Sequence, residues 1–377
     1  MPLMARFGFL STYPPTRCGL ATFTAALATA MVRDGRDDAV VVRVDDMVPA
    51  GPALTTPGVR FVGDLHPGDA AGCAAAVAQL DGCDVAIVQH EYGIYGGPDG
   101  DEVLDVLERL SVATIVVLHT VPADPSPSQR TVLRRVAELA DAVVVMTRTT
   151  RTLLVDGYGV SASRVHLIPH GVDPWIATPI ATPSRRPVVL TWGLIGPGKG
   201  IEWGIRGMAC LGRSSPRPIY RVLGQTHPKV LREQGEQYRM SLLALVKALG
   251  LTADVQIDGR YQEAAELASQ VGQADLVLLP YDSVDQATSG VLAEAVAAGK
   301  VVIATRFPHA VELLSYDRGL LVGHRRPLEI ARAITAALGD TRRAAAALAQ
   351  AESSAAVNSW PQIADRYRAL ASSMAPA

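Results

Sequence analysis

Pro280-Tyr-Asp-Ser-Val-Asp-Gln-Ala-Thr-Ser-Gly-Val-Leu-Ala-Glu-Ala-Val-Ala-Ala-Gly299 is the most informative segment of the chain. It follows an apolar run, crosses a polar loop and enters a helical segment that Thr288 or Ser289 caps and Gly299 stops. Open N–H groups at Ser289, Gly290 and Val291 would carry the positive end of the helix dipole and favour a phosphate. Glu294 follows about one turn deeper, where a carboxylate can accept hydrogen bonds from two vicinal ribose hydroxyls. A plain capped helix with one solvated glutamate is the bland alternative.

Working outward, the strand–loop–helix order recurs along almost the whole sequence. Short β-branched runs alternate with helical spacing, the pattern of parallel sheets covered by helices. Strands are expected at Arg6–Leu10, Ala39–Val44, Asp84–Val88, Thr114–Leu118, Ala142–Met146 and Val165–Ile168. A second set follows at Val188–Trp192, Ile219–Leu223, Asp254–Ile257, Leu276–Leu279 and Val301–Ala304. Helical spacing marks residues 20–33, 101–110, 127–139 and 148–157. The proline-rich run from Pro174 to Pro187 separates the two sets as a linker. The fold class is therefore α/β, with doubly wound parallel-sheet domains over residues 1–178 and 179–356. A terminal helix over 357–377 is expected to pack back on the first domain.

Bulk properties agree and exclude other classes. With 377 residues and 49% hydrophobic content, the chain can bury two cores. A net charge of −2 offers no basic surplus for nucleic acid. The four cysteines, Cys18, Cys73, Cys83 and Cys210, show no metal-ligand spacing and read as reduced thiols of a cytoplasmic protein. No signal peptide or spanning segment is expected.

A second phosphate-type loop precedes the first. Gly193-Leu-Ile-Gly-Pro-Gly-Lys-Gly200 follows the strand ending at Trp192 and opens a helix. Its glycines allow close backbone approach, and Lys199 supplies a point charge. The Walker spacing is absent.

Taken together, the Lys-Gly loop, Gly259-Arg-Tyr, Leu-Pro280 and the Gln286…Glu294-Ala…Gly299 series resemble the nucleotide-binding half of glycosyltransferase family 4. In the first half, Ile168-Pro-His-Gly-Val-Asp173 is similar to the family's domain-ending turn, and Pro14-Pro-Thr-Arg-Cys-Gly-Leu-Ala21 occupies its glycine-bearing first loop. The resemblance implies the GT-B arrangement, two Rossmann-like domains facing across a cleft. It also implies retaining transfer of a hexosyl group from a UDP- or GDP-linked sugar to a hydroxyl.

The resemblance assigns residues as follows. Glu294 matches the second acid of the family's Glu-x7-Glu motif and would hold the ribose. Gln286 stands where the first glutamate meets the donor sugar, so no negative charge is available there. Gly19, Gly193, Lys199, Ser289, Gly290 and Val291 would line the diphosphate, and Arg260 and Tyr261 would flank the base. The family's second basic residue falls near Leu194, with Arg260 or Arg306 as substitutes. His119, ending a strand, matches the histidine beside the donor sugar and joins Gln286 as a catalytic candidate. Apart from the resemblance, the strand end Gln89-His-Glu-Tyr-Gly93 offers His90 and Glu91 as acceptor contacts. His66, His166 and His324 are set aside as bystanders.

No metal site is expected, and Asp99-Gly-Asp101 reads as an acidic turn. No cofactor is expected either, the nucleotide sugar being a substrate. The acceptor is a small molecule, a glycan or a lipid-linked hydroxyl. Arg130, Arg134, Arg135, Arg148 and Arg151 offer a basic face for acidic lipids at the inner membrane face or for a phosphorylated acceptor, against the plainer reading of solvated helix surfaces. Two rival readings share this site: a nucleotide-sugar epimerase, and a non-catalytic sugar-nucleotide-binding protein.

Overall fold

The computed structural model describes residues 5–45, 53–173, 186–212, 217–283, 286–314 and 319–374. The chain divides into two compact units, Met1–Gly171 with Trp360–Ala377, and Val172–Ser359. All but the last two residues of the proposed linker, and the expected boundary at 178/179, fall in residues 174–185, outside the described residues.

The first unit runs β1 (Arg6–Ser11), α1 (Gly19–Met31), β2 (Asp38–Val44), β3 (Val59–Leu65), α2 (Ala70–Asp81), β4 (Val85–His90), α3 (Val103–Leu107), β5 (Ala113–Leu118), α4 (Pro127–Leu139), β6 (Ala142–Val145), α5 (Arg148–Thr152) and β7 (Val165–Leu167). Its strands form one parallel sheet in the order β3-β2-β1-β4-β5-β6-β7. The second unit runs β8 (Val188–Trp192), α6 (Ile201–Cys210), β9 (Ile219–Leu223), α7 (Pro228–Gln234), α8 (Gln237–Ala248), β10 (Val255–Asp258), α9 (Ala264–Gln273), β11 (Leu276–Leu279), α10 (Gly290–Ala297), β12 (Val301–Thr305), α11 (Pro308–Leu313), β13 (Gly319–Val322), α12 (Pro327–Ala337) and α13 (Thr341–Asn358). It too is parallel, in the order β10-β9-β8-β11-β12-β13. Strand order reverses between β1 and β4 in one sheet and between β8 and β11 in the other. Ligands of open α/β sheets bind at the carboxyl ends of strands at such points. Each of the two glycine-bearing loops of the second unit leaves one strand of its reversal.

Strand parity decides which side chains enter which core. In β4 and β5, Val85, Ile87, Ile115 and Val117 face one apolar layer with Phe23 and Leu27 of α1. Ala86, Val88, Val116 and Leu118 face the other with Leu133 and Val136 of α4. The last helix of the chain, α14 (Trp360–Met374), contributes Trp360, Ile363, Ala364 and Tyr367 to the first layer. Arg368 anchors it, with Nε 3.2 Å from Asp37 Oδ2 and also bonded to the Met31 carbonyl. Gly171 is required where Trp360 packs: an added Cβ would lie 2.2 Å from the indole.

The sequence pattern misses β3, α2 and β13. β3 is an edge strand interrupted at Gly63 by a register shift, so no clean alternation marks it. Half of the residues of α2 are alanine, which blurs its apolar face. Helix 101–110 is shorter than expected, with a 3-10 turn at Pro98–Gly100 before α3, and 148–157 continues from α5 into a π-helical turn at Leu153–Gly157.

Candidate functional site

In the second unit the two glycine-bearing loops lie against each other. Gly198 and Gly200 adopt left-handed φ values of 87° and 62°. A Cβ at Gly200 would sit 1.9 Å from the Pro280 carbonyl oxygen, so only glycine permits this approach. The Gly198 carbonyl accepts N–H bonds from Asp282 at 2.8 Å and Ser283 at 3.3 Å. Lys199 Nζ lies 4.4 Å from the centre of the Tyr281 ring, a cation–π contact joining the same loops.

Ser289 is the N-cap of α10, its Oγ accepting the Leu292 N–H at 3.2 Å. The three open donors expected here are corrected to two. The Ser289 N–H is spent on His309 Nδ1 at 2.9 Å, because α11 brings that buried imidazole against the turn. Gly290 and Val291 carry the remaining N–H groups of the helix start, and neither has a partner among the described residues. Gly193, at the end of β8, faces Val291 closely enough that an added Cβ would touch Val291 Cγ2 at 3.5 Å.

Glu294 is half-buried, and Trp192 Nε1 donates to its Oε2 at 3.3 Å. Burial pushes its carboxyl up to about 7, with the Trp192 bond opposing the shift and Asp173 adding to it. A free carboxyl oxygen that ionises near neutrality suits a hydroxyl-bearing ligand. Gln286 is turned into its own loop, Nε2 donating to the Thr288 carbonyl at 2.5 Å.

Arg260 follows β10. It is 69% exposed and bound to Asp258 at 2.6 Å and Glu266 at 3.4 Å, so its charge is already balanced. Tyr261 beside it is also exposed, and Arg306 stands on the surface after β12. His324, set aside from the sequence, lies beside this loop, its Nδ1 3.0 Å from the Tyr281 carbonyl oxygen. Arg325 follows at a left-handed φ of 58° and meets Asp282 at 2.7 Å. His309, His324 and Arg325 were missed because each follows a strand other than the two that carry glycine loops. Only the rule that loops at one sheet edge converge would have raised them.

In the first unit, His119 and Gln89 meet at the ends of neighbouring strands, His119 Nε2 lying 2.7 Å from Gln89 Oε1. The Phe23 ring stands edge-on to His119 at 5.0 Å, to His170 at 5.1 Å and to Trp360 at 5.1 Å. Burial, with smaller effects from His170 and His90, drives the His119 imidazole down to about 3. It is a neutral hydrogen-bonding group at any ordinary pH.

Two acceptor candidates differ from expectation. His90 is fully buried, both ring nitrogens without partners, its ring 5.1 Å from Tyr92. Burial lowers it to about 4. It belongs to the opposite face of β4 from Gln89, so strand parity turns it into the core. Glu91 is satisfied internally, accepting from Thr120 Oγ1 at 2.6 Å and from the Tyr92 N–H at 3.1 Å. Gly19 is exposed at the start of α1, where a Cβ would meet nothing within 4 Å, so no steric need for glycine exists there. Asp99 reaches Ser126, the N-cap of α4, at 3.4 Å, consistent with a structural turn. Within the basic group, Arg135 pairs with Glu108 and Glu138, and Arg130 lies over Tyr158 while donating to Gly157. None of the described helices is long and apolar enough to cross a membrane.

Comparison with known proteins covers both units. Residues 18–175 match the model of Glycosyltransferase Family 4, and residues 186–340 match that of Glycosyl transferases group 1. A GDP-mannose-dependent alpha-(1-6)-phosphatidylinositol monomannoside mannosyltransferase of Mycolicibacterium smegmatis is 30% identical over 60% of this chain and 61% of its own. A D-inositol 3-phosphate glycosyltransferase of Kineococcus radiotolerans is 29% identical over 63% of this chain and 58% of its own. The match thus spans about three-fifths of these relatives. Among solved structures, a sucrose-phosphate synthase of Thermosynechococcus elongatus superposes with TM-score 0.78 at 20% identity, covering 98% of this chain and 99% of that one. The Anabaena protein HepE, in complex with UDP and glucose, superposes with TM-score 0.75 at 16% identity over 98% and 100% of the two chains. These likenesses establish the GT-B fold.

Proposed function

The chain belongs to glycosyltransferase family 4, and from that premise we infer that it moves a hexosyl group from a nucleoside diphosphate sugar to a hydroxyl acceptor with retention. The observation that carries this reading is the joined pair of loops in the second unit. The Gly290 and Val291 N–H groups would meet the diphosphate, with Lys199 supplying charge from the adjoining loop. Glu294, at the depth of one helical turn, would take the ribose diol.

Chemically, the barrier lies in the charge that develops on the leaving diphosphate. Helix N–H groups and Lys199 stabilise it as fixed donors, the role a divalent ion takes in other transferases. Activity should therefore persist in EDTA; loss on chelation with recovery on added Mg²⁺ would reject metal independence. Retention is assigned to front-face attack, in which the departing phosphate oxygen takes the acceptor proton as the new glycosidic bond forms. His119 is a neutral hydrogen-bonding partner for a donor sugar hydroxyl, and Gln286 offers its Oε1 as a second sugar contact. Arg260 and Tyr261 keep the role of flanking the base, and the acceptor is sought among polyols, inositol phosphates, glycans and lipid-linked hydroxyls. Peripheral contact with an anionic membrane through the α4 and α5 arginines is a subsidiary proposal.

One observation favours a second reading, a sugar-nucleotide-binding protein without catalysis: Gln286 spends its amide on Thr288 and cannot carry charge. A thermal-shift panel of UDP, GDP and ADP, followed by nucleotide release from the matching sugar donor, separates the two. Binding with release at catalytic turnover supports transfer. Binding without release from any donor, with or without acceptors, supports the second reading.

A further inference from the structure

We propose that Gln89 is a positioning residue for His119, accepting the His119 Nε2–H and thereby presenting Nδ1 as the acceptor for a donor sugar hydroxyl. This rests on His119 acting at the donor sugar, and adds what fixes its tautomer.

The geometry comes from strand register. β4 and β5 pair in parallel with Gln89 opposite Val117 and His90 opposite Leu118, and the His119 N–H bonds the His90 carbonyl at 3.1 Å. Gln89 and His119 therefore leave the same face of the sheet, with Oε1 and Nε2 2.7 Å apart. Gln89 is fully buried, so its amide cannot exchange this bond for water. Its backbone is pinned as well, since the Gln89 carbonyl accepts the Tyr95 hydroxyl at 2.8 Å. An imidazole whose Nε2 donates must leave Nδ1 as a lone pair. The Phe23 ring edge at 5.0 Å gives the imidazole an apolar wall. Gln89 Nε2 has no partner in its buried position, a second polar atom at the same point with unspent capacity.

Neighbouring titratable groups do not supply a competing partner. His170, after β7, holds the Gly171 carbonyl at 2.6 Å, His90 lies on the opposite sheet face, and Glu91 is engaged by Thr120. A neutral amide orients the ring without drawing a proton onto it. A carboxylate in its place would favour the imidazolium and convert Nδ1 from acceptor to donor.

The test uses the full chain and nucleotide release from its preferred nucleotide sugar. Gln89→Leu should lower kcat about 10- to 100-fold, the loss expected for one misplaced buried hydrogen bond. The nucleoside diphosphate, which needs no His119, should bind unchanged in Gln89→Leu and so report that the protein is folded. Gln89→Glu should introduce an acid limb absent from the parent, with activity approaching the parent at high pH. Combining Gln89→Leu with His119→Ala should cost no more than His119→Ala alone. If His119→Ala loses activity while Gln89→Leu keeps the parent kcat, or if Gln89→Glu shows the parent pH profile, the positioning role is overturned and the histidine's role stands. If His119→Ala itself keeps full activity, the underlying reading of His119 fails instead.

Discussion

The two units carry the same sheet plan, yet their candidate sites are built from opposite materials. In the second unit the ligand-facing groups are mostly backbone: helix-start N–H groups, glycines that let one loop touch another, and a single lysine. In the first unit they are side chains at strand ends, neutral imidazoles held in apolar surroundings by Phe23, Gln89 and the α14 helix. The contrast follows from what each would bind. A diphosphate is satisfied by any convergent set of N–H donors and positive charge, whereas a sugar hydroxyl needs a donor or acceptor at one defined point.

This comparison breaks most sharply at two glycines. Gly200→Ala forces a Cβ against the Pro280 carbonyl at a left-handed φ, and should destabilise the second unit by about 2–4 kcal/mol. Nucleotide binding should be lost with it. Gly171→Ala meets the packed Trp360 indole of the first unit instead, and should lower thermal stability while leaving nucleotide binding intact. Equal losses of binding in both variants would mean that the nucleotide site is not confined to the second unit's loops.

Glu294→Ala comes next, with nucleotide-sugar affinity falling about 10- to 100-fold by calorimetry. His119→Ala should leave the affinity for the nucleoside diphosphate at the parent value. A smaller effect appears with pH. Because the Glu294 carboxyl is raised to about 7, the folded protein holds this proton more tightly than the unfolded chain. Its contribution to stability is therefore lost as pH rises from the ordinary carboxyl range through about 7. Ribose hydroxyls donate to the ionised form, so nucleotide-sugar affinity should rise over the same interval, by at most about tenfold per pH unit. The bridging phosphates of the ligand keep a constant charge there. Glu294→Gln should flatten both curves; an unchanged slope would remove Glu294 as their source.

The smallest effects are expected where the sequence suggested function and the structure shows burial or neutralised charge. His90→Leu replaces a buried ring with two unpartnered nitrogens, and should cost less than about 1.5 kcal/mol with activity retained. Arg260→Ala should change the donor KM less than about threefold, since Asp258 and Glu266 already hold that charge.

These differences explain what could be read without coordinates. The alternation of β-branched runs and helices disclosed both sheets, and the glycine spacing with Ser289 disclosed the helix start, because backbone geometry is written into residue type. The direction of a side chain at a strand end is written only in parity. Ile115, Val117 and His119 share a face with Val85, Ile87 and Gln89, while His90 goes with Val88. Counting in twos would have paired His119 with Gln89 and sent His90 to the opposite layer. Nothing local could disclose that His309 takes the Ser289 N–H, or that His324 meets Tyr281, since those contacts join loops far apart in sequence. β3 and α2 were hidden for a different reason, an irregular edge strand and an alanine face that both lack contrast.

The central claim is that the second unit holds a nucleoside diphosphate through its backbone. It is tested most directly by a crystal structure of the protein soaked with UDP or GDP, whichever gives the larger thermal shift. The account predicts phosphate oxygens about 3 Å from the Gly290 and Val291 N–H groups and the ribose diol on Glu294. A nucleotide bound elsewhere, or bound here with its ribose turned away from Glu294, would contradict it.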